Sequence, residues 1–596
     1  MAQSIEDYAL IGDCRTAGLV GRDGSIDWLC LPRFDSDAVF AALLGDGDNG
    51  FWKIAPVAPV RRVQRRYREG TLTLETEMET EDGTIVLVDF MPLHDPRADV
   101  VRIVLGKSGA VRVRSELVLR CGYGRIVPWV RHAEGGIQAI AGPDRFRFSA
   151  PVETRGHGLR THAELTISAG DRAPFVLAWS PSHERLPPVI DAKRALETTD
   201  RTWHEWITRC ERASPFDPHV RRSLVTLKAL SYAPTGGMVA APTSSLPEAV
   251  GSVRNWDYRY CWVRDATFTL TALLNAGFKE EARAWEQWLL RATAGSPSQM
   301  QILYGIAGER RLPEIELGWL DGFEGSRPVR IGNAAADQLQ LDVYGELMDT
   351  MHLARETGLE ASDAGWKLQM ELLDHLATGW READQGIWEV RGPARHFTHS
   401  KVMCWVAFDR AVKAVEHFGR EGPVDRWRAV RDEIHDEICR RAHDPDRNTF
   451  VQYFGGTDLD AALLLLPVVG FLPASDRRVA GTLAAVQREL MEDGLVKRYL
   501  TRPEIEGLPE GEGTFLPCSF WLADALVLAG RYDEARAVFD RLLGLTNDVG
   551  LLAEEYDPRA RRMLGNLPQA LSHVALVNTA LNLSRKRGPA HLRGGL

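Results

Sequence analysis

The sequence predicts a chain of two unlike parts, an antiparallel β-sandwich followed by a helical domain. Its first third alternates apolar and polar residues in short runs separated by turn residues. From about residue 217 onward, the apolar residues recur with helical spacing. At 596 residues the chain also exceeds what one hydrophobic core usually serves, so two domains are expected.

The β part is read from four runs. Leu72–Thr80 and Thr84–Phe90 alternate in face, and Glu81-Asp82-Gly83 supplies the turn between them. Val100–Gly106 and Val111–Leu119 follow at short spacing, the pattern of a sandwich. Near residue 190 the texture changes. Asp191-Ala192-Lys193-Arg194 opens a helical stretch carrying Trp203 and Trp206. Residues 1–190 are therefore assigned to the β-sandwich domain, 191–216 to a helical linker and 217–590 to the helical domain. In that last part, helices are expected to start near Val220, Arg264, Lys279, Asp337, Ala364, Ser400, Val424, Asp458, Asp476, Phe515, Tyr532 and Pro568.

Composition excludes several classes. A hydrophobic share of 44% and a charged share of 26% describe a soluble globular protein. A net charge of −10 argues against nucleic acid as a partner. The start of the chain, Met1–Tyr8, lacks a basic stretch followed by an apolar run, so no secretory signal is expected. No apolar stretch approaches the ~20 residues of a membrane span, so no membrane partner is expected either. The eight cysteines are scattered without a Cys-x-x-Cys pair, which fits packed, reduced thiols in a cytoplasmic protein and no metal site. A homo-oligomer is left open.

Three segments carry chemistry. Gly386–Arg391 and Leu552–Asp557 each set a carboxylate beside an aromatic ring, in Trp388-Glu389 and in Glu554-Glu555-Tyr556. Cleaving a glycosidic bond needs two carboxyl groups on opposite sides of the scissile bond, one protonated and one ionised. An aromatic neighbour offers a sugar an apolar face and raises the pKa of an acid by desolvation. Asn255–Asp265 packs four aromatic residues, two arginines and two aspartates into one loop-to-helix junction. A carboxylate and a guanidinium side by side suit vicinal hydroxyls, and rings cover the C–H faces of a sugar. The bland reading of the same residues is an Arg-Asp pair capping a helix among core aromatics.

In this order and spacing the three segments resemble the glucoamylase/trehalase-type inverting glycoside hydrolases known as family 15. The resemblance covers nearly the whole chain, from Ile11–Val20 and Asp23–Trp28 through Arg327–Asn333 to Gly565–His573. It implies that the helical domain is an (α/α)6 toroid, for which about twelve helices are needed. It implies Glu389 as general acid and Glu554 as general base. Trp262, Arg264 and Asp265 would grip the attacked ring, with Tyr258 and Trp388 beside it. Arg327 and Arg330, in the Arg-Pro-x-Arg loop, would lie near the neighbouring ring. Fungal glucoamylases carry acidic residues straight after the acid and straight after that loop, where this chain has Val390 and Ile331. Starch-type contacts beyond the first sugar therefore do not carry over. The run Ile387 to Trp405 reads more like bacterial trehalases of the family than like fungal glucoamylases.

Other features weigh less. Gly45–Gly50 has the look of a calcium loop, but Val57 stands where a bidentate Glu is needed, so a tight turn is the better reading. Glu510 and Glu512 form a rival carboxylate pair, for which charge compensation at a helix N-terminus is the bland account. His396, His399 and Lys401 follow the expected acid and could bind hydroxyls or an anion, or belong to a loop entering a helix. Stacking on sugar is a use for Trp256, Trp262 and Trp388, whereas most of the seventeen tryptophans belong to the core.

The function implied is inverting, exo-acting hydrolysis of a small-molecule α-glucoside, with α,α-trehalose as first choice. Glucoamylase-like or isomaltose-type α-glucosidase activity is the alternative within the class. A disaccharide phosphorylase would need an anion pocket in place of Glu554, and a non-catalytic sugar-binding protein would have no use for both carboxylates. The two-carboxylate chemistry requires no metal or other cofactor. Dependence on phosphate or magnesium is left open by the sequence.

Overall fold

The computed structural model describes residues 2–93, 97–133, 135–210, 216–359, 362–584 and 588–594. Residues 211–215 of the expected linker and 585–587 of the expected catalytic domain lie outside the described residues.

The N-terminal part is one branched antiparallel sheet. Its main path runs Tyr8–Gly12, Ala17–Gly21, Ser25–Cys30, Phe51–Pro56, Ala98–Val118, Arg172–Pro181, Asp144–Ser149, Gly136–Ala141 and Trp129–Ala133. The spine is the 21-residue strand Ala98–Val118, where the sequence predicts two shorter strands. The chain passes Lys107-Ser108-Gly109 without leaving the sheet. Gly109 takes a φ of 67°, and the register against Gly83–Phe90 slips between Thr84 and Ile85, so the strand bends at a bulge. Its first half pairs with Gly83–Phe90 and Arg172–Pro181, its second with Phe51–Pro56 and Arg160–Ser168. One strand thus serves two sets of partners.

Helix α1 (Ala192–Ile207) is capped by Asp191, whose carboxylate accepts the Lys193 and Arg194 N–H groups, the satisfaction an N-terminus requires. Its Trp206 stacks on Phe278 at 4.2 Å and so fixes α1 to the helical part. Eleven long helices follow among the described residues: α2 (Asp217–Ala229), α3 (Val263–Ala276), α4 (Lys279–Ala292), α5 (Asp342–Glu356), α6 (Asp363–Gly379), α7 (Thr398–Phe418), α8 (Val424–Arg441), α9 (Arg477–Glu489), α10 (Leu516–Leu528), α11 (Tyr532–Leu543) and α12 (Ala570–Ser584).

These helices are of two kinds. α3, α5, α7, α10 and α12 are buried on almost every side, while α4, α6, α8, α9 and α11 bury one stripe and expose the rest. α5 packs between α3 and α7, α10 packs against α12, and α12 returns to α3. The gap between α7 and α10 is filled by a 3-10 turn, Ala461–Leu464, running into the short helix Leu465–Val468. A longer helix from Asp458 was the expectation. The Asp460 carboxylate instead caps the turn, accepting the Ala462 N–H at 2.7 Å. The helix expected near Asp337 also starts later, at Asp342. Gln338–Gln340 stay outside it, and Gln338 and Gln340 turn their amides toward Glu389 and Arg264. No helix among the described residues is long and apolar enough to cross a membrane.

The sheet and the helical part meet beneath the Asn255–Asp265 segment. Arg259 and Asp257 are wholly buried and joined by two hydrogen bonds of 2.8 and 2.7 Å. The Arg259 guanidinium also donates to the Ser36 carbonyl and the Tyr123 hydroxyl, both at 2.8 Å and both in the N-terminal part. Trp28 donates its indole N–H to the Pro242 carbonyl at 2.9 Å. Arg259→Leu would strand Asp257 without its counter-charge, so a loss of about 3–5 kcal/mol of stability is expected. Urea denaturation measures it; a variant as stable as the parent would show that the pair is dispensable.

Candidate active site

The cavity is lined by side chains from five separated stretches, including Trp256, Tyr258, Trp262, Arg264, Asp265, Trp388, Glu389, Arg498 and Trp521. Glu389 reaches it from a loop rather than from a helix or strand. Its φ is 58°, in the left-handed region that costs an L-residue roughly 1–2 kcal/mol. The neighbours hold it there. The Gln338 amide donates to the Glu389 carbonyl at 3.2 Å, and the Trp388 indole N–H donates to both oxygens of buried Asp460 at 2.9 and 3.0 Å. Trp388 is boxed in by Tyr499, Phe515 and Trp521 at ring separations of 5.7–6.2 Å.

Each of the two expected catalytic carboxylates is held by the polar tip of an aromatic ring. Trp262 donates its indole N–H to Glu389 at 2.7 Å, and Arg264 donates to the same oxygen at 3.2 Å. Tyr258 donates its hydroxyl to Glu554 at 2.7 Å. The two rings pack edge to face with centroids 5.4 Å apart, so the carboxylates flank one aromatic pair. Arg264, in the first turn of α3, also binds the Gln340 side chain and the Ile387 carbonyl, each at 3.0 Å, and contacts Asp265 at 3.3 Å. Burial works against its charge, but Asp265, Asp342 and Glu389 together hold its pKa above the ordinary value.

Glu554 precedes the strand Glu555–Asp557, and that stretch is pinned to α12. Ser572 donates to the Ala553 carbonyl at 2.9 Å, and the Leu552 N–H donates to His573 at 3.2 Å. The second Glu554 oxygen accepts the Asn566 N–H at 3.1 Å. A Cβ on Gly565 would fall 2.5 Å from that oxygen, so only glycine fits beside it. Burial, then the charge of Glu248, push the Glu554 carboxyl up to about 8, against the Tyr258 hydrogen bond and Arg498. Glu248, Glu554 and Glu555 bring carboxylate oxygens within 4.8 Å of one another, a grouping that could hold a cation. In this structure Arg498 supplies positive charge to it, 3.0 Å from Glu248 and 3.1 Å from Glu555.

Not every expected residue reaches the cavity. Glu554 is buried and is not among the lining residues, although Tyr258, which donates to it, is one of them. Arg327 is exposed and paired with Asp321 away from the cavity. Arg330 lies beneath the wall: its guanidinium sits 4.7 Å from the Trp256 ring, on which Arg391 also packs at 4.5 Å. Glu512 is buried behind Arg498, to which it gives a 2.6 Å ion pair, and Glu510 is exposed. His396 stacks on Phe454, His399 is buried in the first turn of α7, and Lys401 donates to the Trp380 and Glu382 carbonyls. None of these three lines the cavity. Conversely, Glu248, Arg254, Arg498, Glu506 and Trp521 line it without having been singled out from the sequence. Pro247-Glu248 and Lys497-Arg498-Tyr499 carry no spacing that ties them to the other segments, so only the fold brings them in.

Paired carboxylates at an aromatic-lined cavity are the equipment of a glycosidase. Residues 216–581 match the Glycosyl hydrolases family 15, and residues 1–188 match a domain described as Trehalase-like, N-terminal. The chain therefore belongs to glycosyl hydrolase family 15, and it is a glycoside hydrolase. It is similar to a protein named trehalase from Mycolicibacterium smegmatis, at 37% identity over 99% of this chain and 92% of the relative. A protein of the same name from Thermoplasma volcanium is 36% identical over 97% of this chain and 93% of its own length. A bacterial glucoamylase solved with acarbose shares the fold, with a TM-score of 0.68 at 13% identity, covering 98% of this chain and 94% of that one.

Tyr258→Phe removes the hydroxyl that favours the ionised form of Glu554. The Glu554 carboxyl should then titrate higher by about one unit, the scale of a hydrogen bond to a charged group. Carboxyl NMR on ¹³C-glutamate-labelled protein reads the change; a midpoint that falls or stays would contradict the geometry.

Proposed function

We propose that this enzyme is a trehalase that hydrolyses α,α-trehalose to two glucose molecules with inversion. The observation that carries the reading is the likeness to proteins named trehalase over nearly the full length of both chains. The carboxylates on either side of the Tyr258–Trp262 pair agree with it. In this reading Glu389 protonates the bridging oxygen as the bond to the departing glucose breaks. Glu554 takes a proton from water, whose oxygen attacks the opposite face of the ring. Arg264 and Asp265 grip the hydroxyls of the attacked ring while it flattens, and Trp262 and Trp388 give it apolar walls. Tyr258 keeps Glu554 oriented. Burial and the Glu248 charge push the Glu554 carboxyl up to about 8, and a base acts only when ionised, so activity should fall as pH drops through about 8.

The accompanying fold assignment is an N-terminal β-sandwich over residues 1–190, a linker over 191–216 and an (α/α)6 toroid over 217–590. The bend at Gly109 supports the first, and the return of α12 to α3 supports the last. A cytoplasmic setting is supported by the absence of any disulfide among the described residues.

Glu389→Gln and Glu554→Gln should each lower turnover by two to four orders of magnitude, the usual scale for acid–base groups. A variant that keeps more than about a tenth of the parental rate would show that the wrong carboxylate has been chosen. Substrate is settled by free glucose from a panel of trehalose, maltose, isomaltose, kojibiose and nigerose. Stereochemistry is settled by early proton NMR. Inversion of trehalose gives α- and β-glucose in equal amounts before mutarotation, whereas a double displacement, with carboxylates roughly 5–5.5 Å apart, gives α-glucose alone.

A further inference from the structure

Besides Glu389 and Asp265, the cavity wall carries a buried carboxylate that no step above uses. Glu248 follows the short strand Ser244–Pro247 and accepts two donors, the Trp256 indole N–H at 3.1 Å and Arg498 at 3.0 Å, with Arg254 at the ion-pair distance of 3.7 Å. We propose that Glu248 is a positioning residue that sets the base strength of Glu554 by holding a second negative charge against it. The proposal rests on the reading of Glu554 as the base.

The surroundings leave that charge only partly neutralised. Five carboxylates, Glu248, Glu506, Glu512, Glu554 and Glu555, crowd around two guanidiniums. Arg254 contacts Glu506, Glu512 and Glu248, while Arg498 contacts Glu512, Glu248 and Glu555. Glu554 itself faces Tyr258 and the Asn566 N–H as donors, with Glu248 and Glu555 beside it. Like charges this close cannot both ionise freely in a buried setting, so each raises the proton affinity of the other. Of the two neighbours, Glu248 is the one equipped to stay charged. Glu555 meets Arg498 alone, at 3.1 Å and without a hydrogen bond on either oxygen, and burial drives its carboxyl well above the usual range. Burial raises the Glu248 carboxyl too, but Arg498 and Arg254 oppose that rise and the Trp256 indole N–H donates to it. A base made stronger in this way takes the proton of water more readily.

The test is the pH dependence of kcat/KM for the parent, Glu248→Gln and Glu248→Asp, on whichever panel disaccharide yields glucose. Gln keeps the shape and the acceptor for Trp256 but removes the charge. The acidic limb should then move at least about one pH unit lower, and the plateau kcat should fall about tenfold as the base weakens. Asp keeps the charge but withdraws it by one methylene, so its limb should lie between the two. A merely structural role would lower activity at every pH without moving the limb. An unmoved limb in Glu248→Gln overturns the proposal, and should that variant not fold, an unmoved limb in Glu248→Asp overturns it equally. Glu554→Gln, assayed alongside, separates the two readings: if it stays active, the choice of base has failed rather than the role of Glu248.

Discussion

The buried Arg259–Asp257 pair is the constraint on which the rest of the site depends. Two charges taken wholly out of water are tolerable only when each is paired and its remaining hydrogen-bonding capacity is met. Arg259 meets that demand with Ser36 and Tyr123 of the N-terminal part, and Asp257 meets it with the Gly332 N–H at 3.1 Å. The segment between Asn255 and Asp265 is therefore clamped from below. Tyr258, Trp262 and Arg264, which leave the same segment toward the cavity, inherit a fixed origin. A catalytic module cut away from its β partner would lose the two acceptors that hold this floor in place.

Above the floor, the aromatic pair does a second job. An edge-to-face contact sets the distance between two rings within narrow limits, and each ring carries one donor at its tip. A Tyr hydroxyl and a Trp N–H so arranged hold two carboxylates at a separation determined by packing rather than by the flexible glutamate side chains. Rigid positioning of this kind is what acid–base catalysis requires, because misplacement by an ångström is costly in rate. The electrostatics differ on the two sides. Glu389 shares its oxygen with a cationic partner, Arg264, whereas Glu554 sits with other carboxylates.

Much of this was legible in the sequence, and the limits have physical causes. Helical spacing marks helices well when one face is polar, as in α4, α8 and α11, because the apolar stripe is then visible. It failed near Asp337 and Asp458, where polar side chains are committed to Arg264, Trp388 and a cap instead of to solvent. The long strand Ala98–Val118 was read as two runs, Val100–Gly106 and Val111–Leu119, and the residues between them form a bulge rather than a break. In the site, local segments were readable because Trp388-Glu389 and Trp262-Val263-Arg264-Asp265 hold their chemistry within a few residues. Glu248 and Arg498 were not, since a charge network assembled from distant loops leaves no periodicity behind. Arg327 and Arg330 illustrate the converse: a motif can be legible while its side chains serve the loop rather than the cavity.

The left-handed backbone of Glu389 has a consequence for engineering and for evolution. Asparagine and glycine tolerate that conformation better than glutamate does, so either replacement would relieve local strain while deleting the carboxyl group. With Glu389 as the acid proposed above, function and folding pull this position in opposite directions. A selection for thermal resistance alone would be drawn to replace Glu389 and would return a sturdier, inert protein. Stabilising campaigns on this scaffold have to screen for turnover in the same round, and a natural drift to Asn or Gly here would mark a lineage released from catalysis.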